Sequence, residues 1–80
     1  MEVTKFASKS CVKCKVLDNY IKQAGLTNVN VIYSEDNDEE FKKNNVTTVP
    51  TLLLQNGDKK EYLEGIVSPA MIKEAVERIG

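Results

Sequence analysis

The only two cysteines of the chain sit as Cys11-Val12-Lys13-Cys14. In a helix, residues three apart have Cα atoms roughly 5 Å apart. Disulfides favour Cα separations of about 4.4–6.8 Å, so this spacing lets a bond close and open with little backbone movement. The sequence contains no histidine, so no Cys-His nucleophile pair and no imidazole metal site can form. One C-x-x-C pair is half of a structural zinc site, and no second Cys or His pair completes it. Redox chemistry, soft-metal binding by two thiolates, or chance remain. Cys11 falls at the edge of a predicted helix, where unpaired N–H groups and the positive dipole end stabilise a thiolate. Lys9, Lys13 and Lys15 add positive charge nearby. These effects lower a thiol pKa below its reference of about 8.5. Cys14, one turn further in, is expected to be shielded. The asymmetry assigns roles: Cys11 attacks and Cys14 resolves.

The elements that must hold this pair are legible in the pattern. Val3 to Ala7 reads as a strand and Ser8-Lys9-Ser10 as a short loop. Apolar residues at Val12, Val16, Leu17, Tyr20, Ile21 and Ala24 form a helical stripe, with Gly25 placed as a left-handed cap. Asn28 to Tyr33 is rich in β-branched and aromatic residues and reads as a second strand. The acidic run from Glu35 to Glu40 opens a short helix anchored by Phe41. Thr51 to Gln55 is a strand, Asn56-Gly57 a hairpin turn, and Lys60 to Glu64 the returning strand. Ser68-Pro69 caps a last helix whose inner face carries Met71, Ile72, Ala75, Val76 and Ile79. Tyr20 and Tyr33 are expected in the core.

Eighty residues make one domain, residues 1–80, with a small core. Apolar residues are 41% and charged residues 29%, a balance that argues against disorder. A net charge of −1 argues against an all-over basic nucleic-acid binder. Lys5, Lys9, Lys13 and Lys15, and the acidic run, are expected to be solvated faces. The longest apolar stretches fall far below the ~20 residues that span a bilayer, and no signal peptide is visible. The expectation is a soluble cytoplasmic monomer with no membrane partner.

Phe6, Cys11-Val12-Lys13-Cys14-Lys15, Val49-Pro50-Thr51-Leu52-Leu53-Leu54, Asn56-Gly57 and the Gly65 to Ser68 stretch follow in the order found in thioredoxins. The chain resembles a small thioredoxin-superfamily protein of glutaredoxin size, over essentially its whole length. The resemblance implies an α/β minimal thioredoxin fold, β-α-β-α-β-β-α, with a four-stranded mixed sheet and helices on both faces. It implies that Pro50 is cis and faces the disulfide, and that Val49, with Thr48 beside it, offers backbone to an extended substrate peptide. Val12, Lys13 and Gly65 complete the expected substrate surface, where a side chain at Gly65 would crowd the approach.

The implied activity is thiol-disulfide exchange on protein disulfides, with the Cys11-Cys14 disulfide as the only redox group, no other cofactor and no metal. Electrons are expected from a thioredoxin-reductase-like flavoenzyme, recognised by Val12, Val49, Ile66 and Val67. Glutathione, as in glutaredoxins, or a role as donor to ribonucleotide reductase is the alternative. A soft-metal chaperone is more remote, because copper chaperones run β-α-β-β-α-β. The chain also departs from thioredoxins: Val12-Lys13 replaces Gly-Pro, Ser10 stands where a Trp is usual, and the extra N-terminal strand and helix are missing. Lys5 occupies the place where many thioredoxins carry a buried acid, which leaves the proton acceptor of Cys14 unassigned. Gly65-Ile66-Val67-Ser68-Pro69 lacks the double glycine and acid with which glutaredoxins hold glutathione.

Overall fold

The computed structural model describes residues 1–80. Its elements are β1 (Glu2–Ala7), α1 (Val12–Gln23), β2 (Val29–Tyr33), α2 (Asp38–Lys43), β3 (Thr51–Asn56), β4 (Lys59–Glu64) and α3 (Pro69–Ile79). The sheet order is β2-β1-β3-β4. β1 and β2 run parallel, while β1–β3 and β3–β4 are antiparallel. This is the expected β-α-β-α-β-β-α order, and it is not that of a copper chaperone.

Alternation along the central strands builds two cores, because successive side chains leave a strand on opposite faces. On one face Val3, Leu52 and Leu54 pack against Leu17 and Ile21 of α1 and against Ile72, Ala75 and Ile79 of α3. On the other, Phe6 and Leu53 pack with Phe41 of α2 and Val46. No helix is long and apolar enough to cross a membrane.

The helix ends follow their capping residues. Ser68 Oγ accepts the Met71 N–H at 3.3 Å ahead of Pro69 at the first helical position. Asn37 Oδ1 accepts the Glu40 N–H at 3.4 Å, so α2 starts later than the acidic run. Asp38, Glu39 and Glu40 lie in its first turn and Lys42 and Lys43 in its last, each sign on the favoured end of the dipole.

Several expectations need correction. Asn56 pairs with Lys59 inside the ladder, so the two-residue turn is Gly57-Asp58, with Gly57 at φ +61. Only a first turn residue at positive φ is the pattern of a type II′ hairpin. The Asn56 side chain donates instead to the Ile79 carbonyl at 2.8 Å, tying the end of α3 to the hairpin. Val12 is 75% exposed and Val16 also faces out, so the buried face of α1 is narrower, comprising Cys14, Leu17 and Ile21. Met71 is exposed, and Tyr20 and Tyr33 are only partly buried. Lys5 lies inside, at 4% exposure, on the same face of β1 as Val3 and Ala7.

Candidate active site

Cys11 and Cys14 are joined by a disulfide across a Cα separation of 5.4 Å. Cys11 is the N-cap of α1, with φ −82 and ψ 110, and its Sγ accepts the Cys14 N–H at 3.1 Å. A sulfur thus holds one of the orphan donors that a side-chain oxygen usually takes at a helix start, and the same donor favours charge on that sulfur. Cys14 is 3% exposed, inside the first turn, whereas Cys11 is only partly covered. The expected asymmetry of outer and inner sulfur is therefore present.

The loop that delivers Cys11 is tied to the opposite loop by one carboxylate. Glu35 accepts the Lys9 N–H at 3.2 Å, the Ser8 hydroxyl at 3.0 Å and the Ser34 hydroxyl at 3.1 Å. Its own backbone amide, then the Lys9 amide, then the two hydroxyls hold its carboxyl below the usual range. Lys9 is bonded to Asp36 at 3.0 Å, which raises its pKa, and it also lies 5.9 Å from the Tyr33 ring centroid. The Lys9 charge is thus largely answered by Asp36 and counts less toward Cys11 than the sequence implied.

The ordering of this loop by Glu35 should depend on pH with a definite sign. A carboxyl whose folded pKa is depressed contributes order that is complete above its unfolded value and lost as pH falls through the folded one. The hydrogen-exchange protection of the Lys9 amide should therefore fall on acidification below the ordinary glutamate range. Glu35→Ala should remove the same protection at neutral pH. Equal protection in wild type and variant would show that the loop is held by other contacts.

On the other side of the α1 N-terminus, Lys13, Thr48, Val49, Gly65, Glu64 and Ile66 line a groove of about 480 Å³. The expected substrate residues Lys13, Thr48, Val49 and Gly65 are brought together there. Val12 is exposed on the first turn of α1, and Pro50 is fully buried. The Val49-Pro50 bond is cis. The Thr48 carbonyl accepts the Thr51 hydroxyl at 2.9 Å, and the Gly65 N–H donates to the Pro50 carbonyl at 2.8 Å. Neither backbone polar group of Val49 is bonded to the backbone of the chain. A Cβ at Gly65 would meet nothing within 4 Å, so glycine is required there by φ +78 and not by crowding within the chain. Ile66 is exposed, whereas Val67 is buried in the core and drops out of the proposed reductase surface.

Sequence reasoning missed two groups. The Lys5 ammonium is ion-paired with Asp18, and both line a cavity of about 230 Å³ with Cys11 and Cys14. The signal was present: Asp18 follows Cys14 by four residues, the spacing of neighbours on one helix face. Glu35 was read as part of an acidic helix start, with no local mark of its bonds to Ser8 and Lys9.

No protein-family model and no curated protein matches the sequence. Among solved structures, thioredoxin 1 of Thermosipho africanus TCF52B aligns at TM-score 0.77 and 20% identity, over 98% of this chain and 92% of its own. A point-mutant thioredoxin from Halobacterium salinarum NRC-1 aligns at TM-score 0.82 and 24% identity, over 95% and 71%. Mitochondrial thioredoxin 3 of Saccharomyces cerevisiae, in its oxidized form, aligns at 0.77 and 17%, over 96% and 76%. The chain has the thioredoxin fold. Within that fold it is a minimal α/β version, whose sheet holds four strands and whose disulfide-bonded cysteine pair opens α1.

Proposed function

We propose that this chain is a thiol-disulfide oxidoreductase that reduces disulfides in proteins. The observation that carries the reading is the Cys11–Cys14 disulfide at the start of α1, with Cys14 buried and Cys11 as the helix cap. The Cys11 thiolate attacks one sulfur of the substrate disulfide, forms a mixed disulfide and expels the other sulfur as a thiolate, which takes up a proton. Cys14 then loses its proton and attacks the Cys11 sulfur. The Cys11–Cys14 bond forms, the mixed disulfide breaks, and the second substrate thiolate leaves. Two protein thiols are oxidised and one substrate disulfide is reduced to two thiols.

The unbonded Val49 backbone above the groove supports docking of an extended peptide, with Thr48, Lys13 and Gly65 around it. An added segment gains main-chain hydrogen bonds in this way. Val12 and Ile66, both exposed beside the cysteines, supply an apolar patch for a flavin-dependent reductase. Glutathione would need donors and cations placed around its two carboxylates, and the Gly65 to Pro69 stretch carries no charged side chain. Thioredoxin reductase with NADPH should therefore sustain insulin reduction by this protein better than glutathione with glutathione reductase. Activity confined to the glutathione arm would overturn this choice of donor and leave the exchange chemistry standing. Failure in both arms, together with no closure of an intramolecular disulfide on oxidation, would sink the oxidoreductase reading.

A further inference from the structure

Resolution requires Cys14 to shed a proton, because the thiolate is the nucleophile. Cys14 is nearly sealed from solvent, so its proton needs a local acceptor. The titratable side chains facing it across the shared cavity are Lys5 from β1, Lys9 from the loop, Lys15 and Asp18 from α1, and Tyr33 from β2. A lysine ammonium has no lone pair to offer, and a phenol near neutral pH is itself an acid. Asp18 is the one carboxylate. It lies one turn beyond Cys14 on the same face of α1, where side chains four apart are neighbours.

We propose that Asp18 accepts the Cys14 proton during resolution, across the cavity, and that Lys5 is the positioning residue that holds its carboxylate there. The inference rests on the oxidoreductase reading and deepens it. Lys5 reaches Asp18 directly, and no buried side-chain nitrogen or oxygen is left without a partner. The Asp18 side chain is 47% exposed, so a proton received on the cavity side has a path to water.

The charge is also accounted for. Before the step, the Lys5 ammonium faces the Asp18 carboxylate; as the proton moves, Asp18 becomes neutral, Cys14 enters the neutral disulfide, and the negative charge leaves on the substrate sulfur. The half-exposed Asp18 then gives the proton up and the ion pair with Lys5 is restored. An ordinary thiol is a weaker acid than an ordinary aspartic acid by about four to five pKa units. The proton therefore moves as the new S–S bond forms, and not beforehand, which is general-base catalysis. The atoms balance: Cys14 loses H⁺ to Asp18, the Cys11–Cys14 bond forms, and the substrate sulfur departs with the electron pair of the broken bond. Asp18 then returns the proton to water or to that thiolate.

Stopped-flow reaction of the reduced protein with the aromatic disulfide 5,5′-dithiobis(2-nitrobenzoate) separates the two steps. The first release of the coloured thiolate reports attack by Cys11, and the second reports resolution by Cys14. In Asp18→Asn the first phase should stay fast while the second slows by about 10²-fold, the lower end of what a positioned general base contributes. Its rate should also rise about tenfold per pH unit below the thiol pKa, because only the free thiolate then reacts. The wild-type second phase should depend on pH much less steeply over the same range, because a base held in the protein takes the proton and the reaction does not wait for free thiolate. Asp18→Glu should recover part of the rate.

Asparagine would leave the buried Lys5 unpaired and risks the fold. The double variant Lys5→Met/Asp18→Leu removes both charges, a replacement often neutral or stabilising for a buried pair, and should show the same slow, pH-steep second phase. A second phase in folded Asp18→Asn or the double variant matching wild type in rate and pH profile would overturn the proposal, with the oxidoreductase reading intact. A wild-type protein that releases only one equivalent and closes no internal disulfide would instead overturn that reading.

Discussion

Cys14→Ser should abolish turnover and leave the protein covalently attached to a protein disulfide substrate through Cys11. The cap position exposes the first sulfur to an incoming disulfide, while the second is the only group placed to displace the substrate from it. With a hydroxyl in its place, the mixed disulfide has no internal exit. Non-reducing mass spectrometry should find an adduct equal to the sum of the two chains, and dithiothreitol should dissolve it. Cys11→Ser should form no adduct, because Cys14 is buried in the first turn. An adduct formed by Cys11→Ser and not by Cys14→Ser would reverse the two roles. The serine at position 14 buries a hydroxyl where a sulfur sat, at a cost of about 1–3 kcal/mol if it finds no partner. The fold of the variant is therefore checked by circular dichroism before trapping is scored.

How much of this was legible before the structure follows from what a local pattern encodes. Element order, helix caps and the two-sided burial of β3 were readable because each depends on neighbours within a few residues. Ser68-Pro69 and the Val/Ile run of β2 are instances. What failed was the identity of the partner across space. Lys5 alternates with Val3 and Ala7 and so points to the α1 face, but whether an inward lysine has a counter-charge depends on Asp18, thirteen residues later. Val12 and Val16 fit a helical stripe, yet no other element covers them. Asn56 carried a turn signal and was taken into the strand, its side chain held by the last turn of α3. Within the site, the two cysteines, Lys13, Thr48, Val49 and Gly65 were named from sequence. Glu35 was not, because its bonds to Ser8 and Lys9 cross between two loops.

Phe6→Ala should cost more stability than any substitution on the groove surface. Phe6 is 1% exposed and stacks edge-on against Phe41, with ring centroids 5.1 Å apart and planes at 89°. Its cluster has only four buried members, Phe6, Phe41, Val46 and Leu53, so little can move in to fill the void. Truncating a buried phenylalanine costs about 3–5 kcal/mol. At about 0.05–0.15 kcal/mol per residue, the 80 residues hold a total of about 4–12 kcal/mol, so about a quarter or more is at stake. In a domain of this size each kcal/mol moves the Tm by about 4–8 °C, which places the expected fall at about 12 °C or more. Phe6→Leu keeps much of the volume and should lose markedly less, and Val12→Ala, at an exposed position, should stay within about 0.5 kcal/mol of wild type. Thermal unfolding followed by circular dichroism reads all three, and a Phe6→Ala midpoint within a few degrees of wild type would contradict the packing argument. The consequence reaches the site, because Val49 and Ile32 pack on the same cluster. Loss of the ring loosens the support beneath Val49, so under the proposed peptide docking Phe6→Ala should weaken reduction of protein disulfides more than that of a small aromatic disulfide, which needs only Cys11.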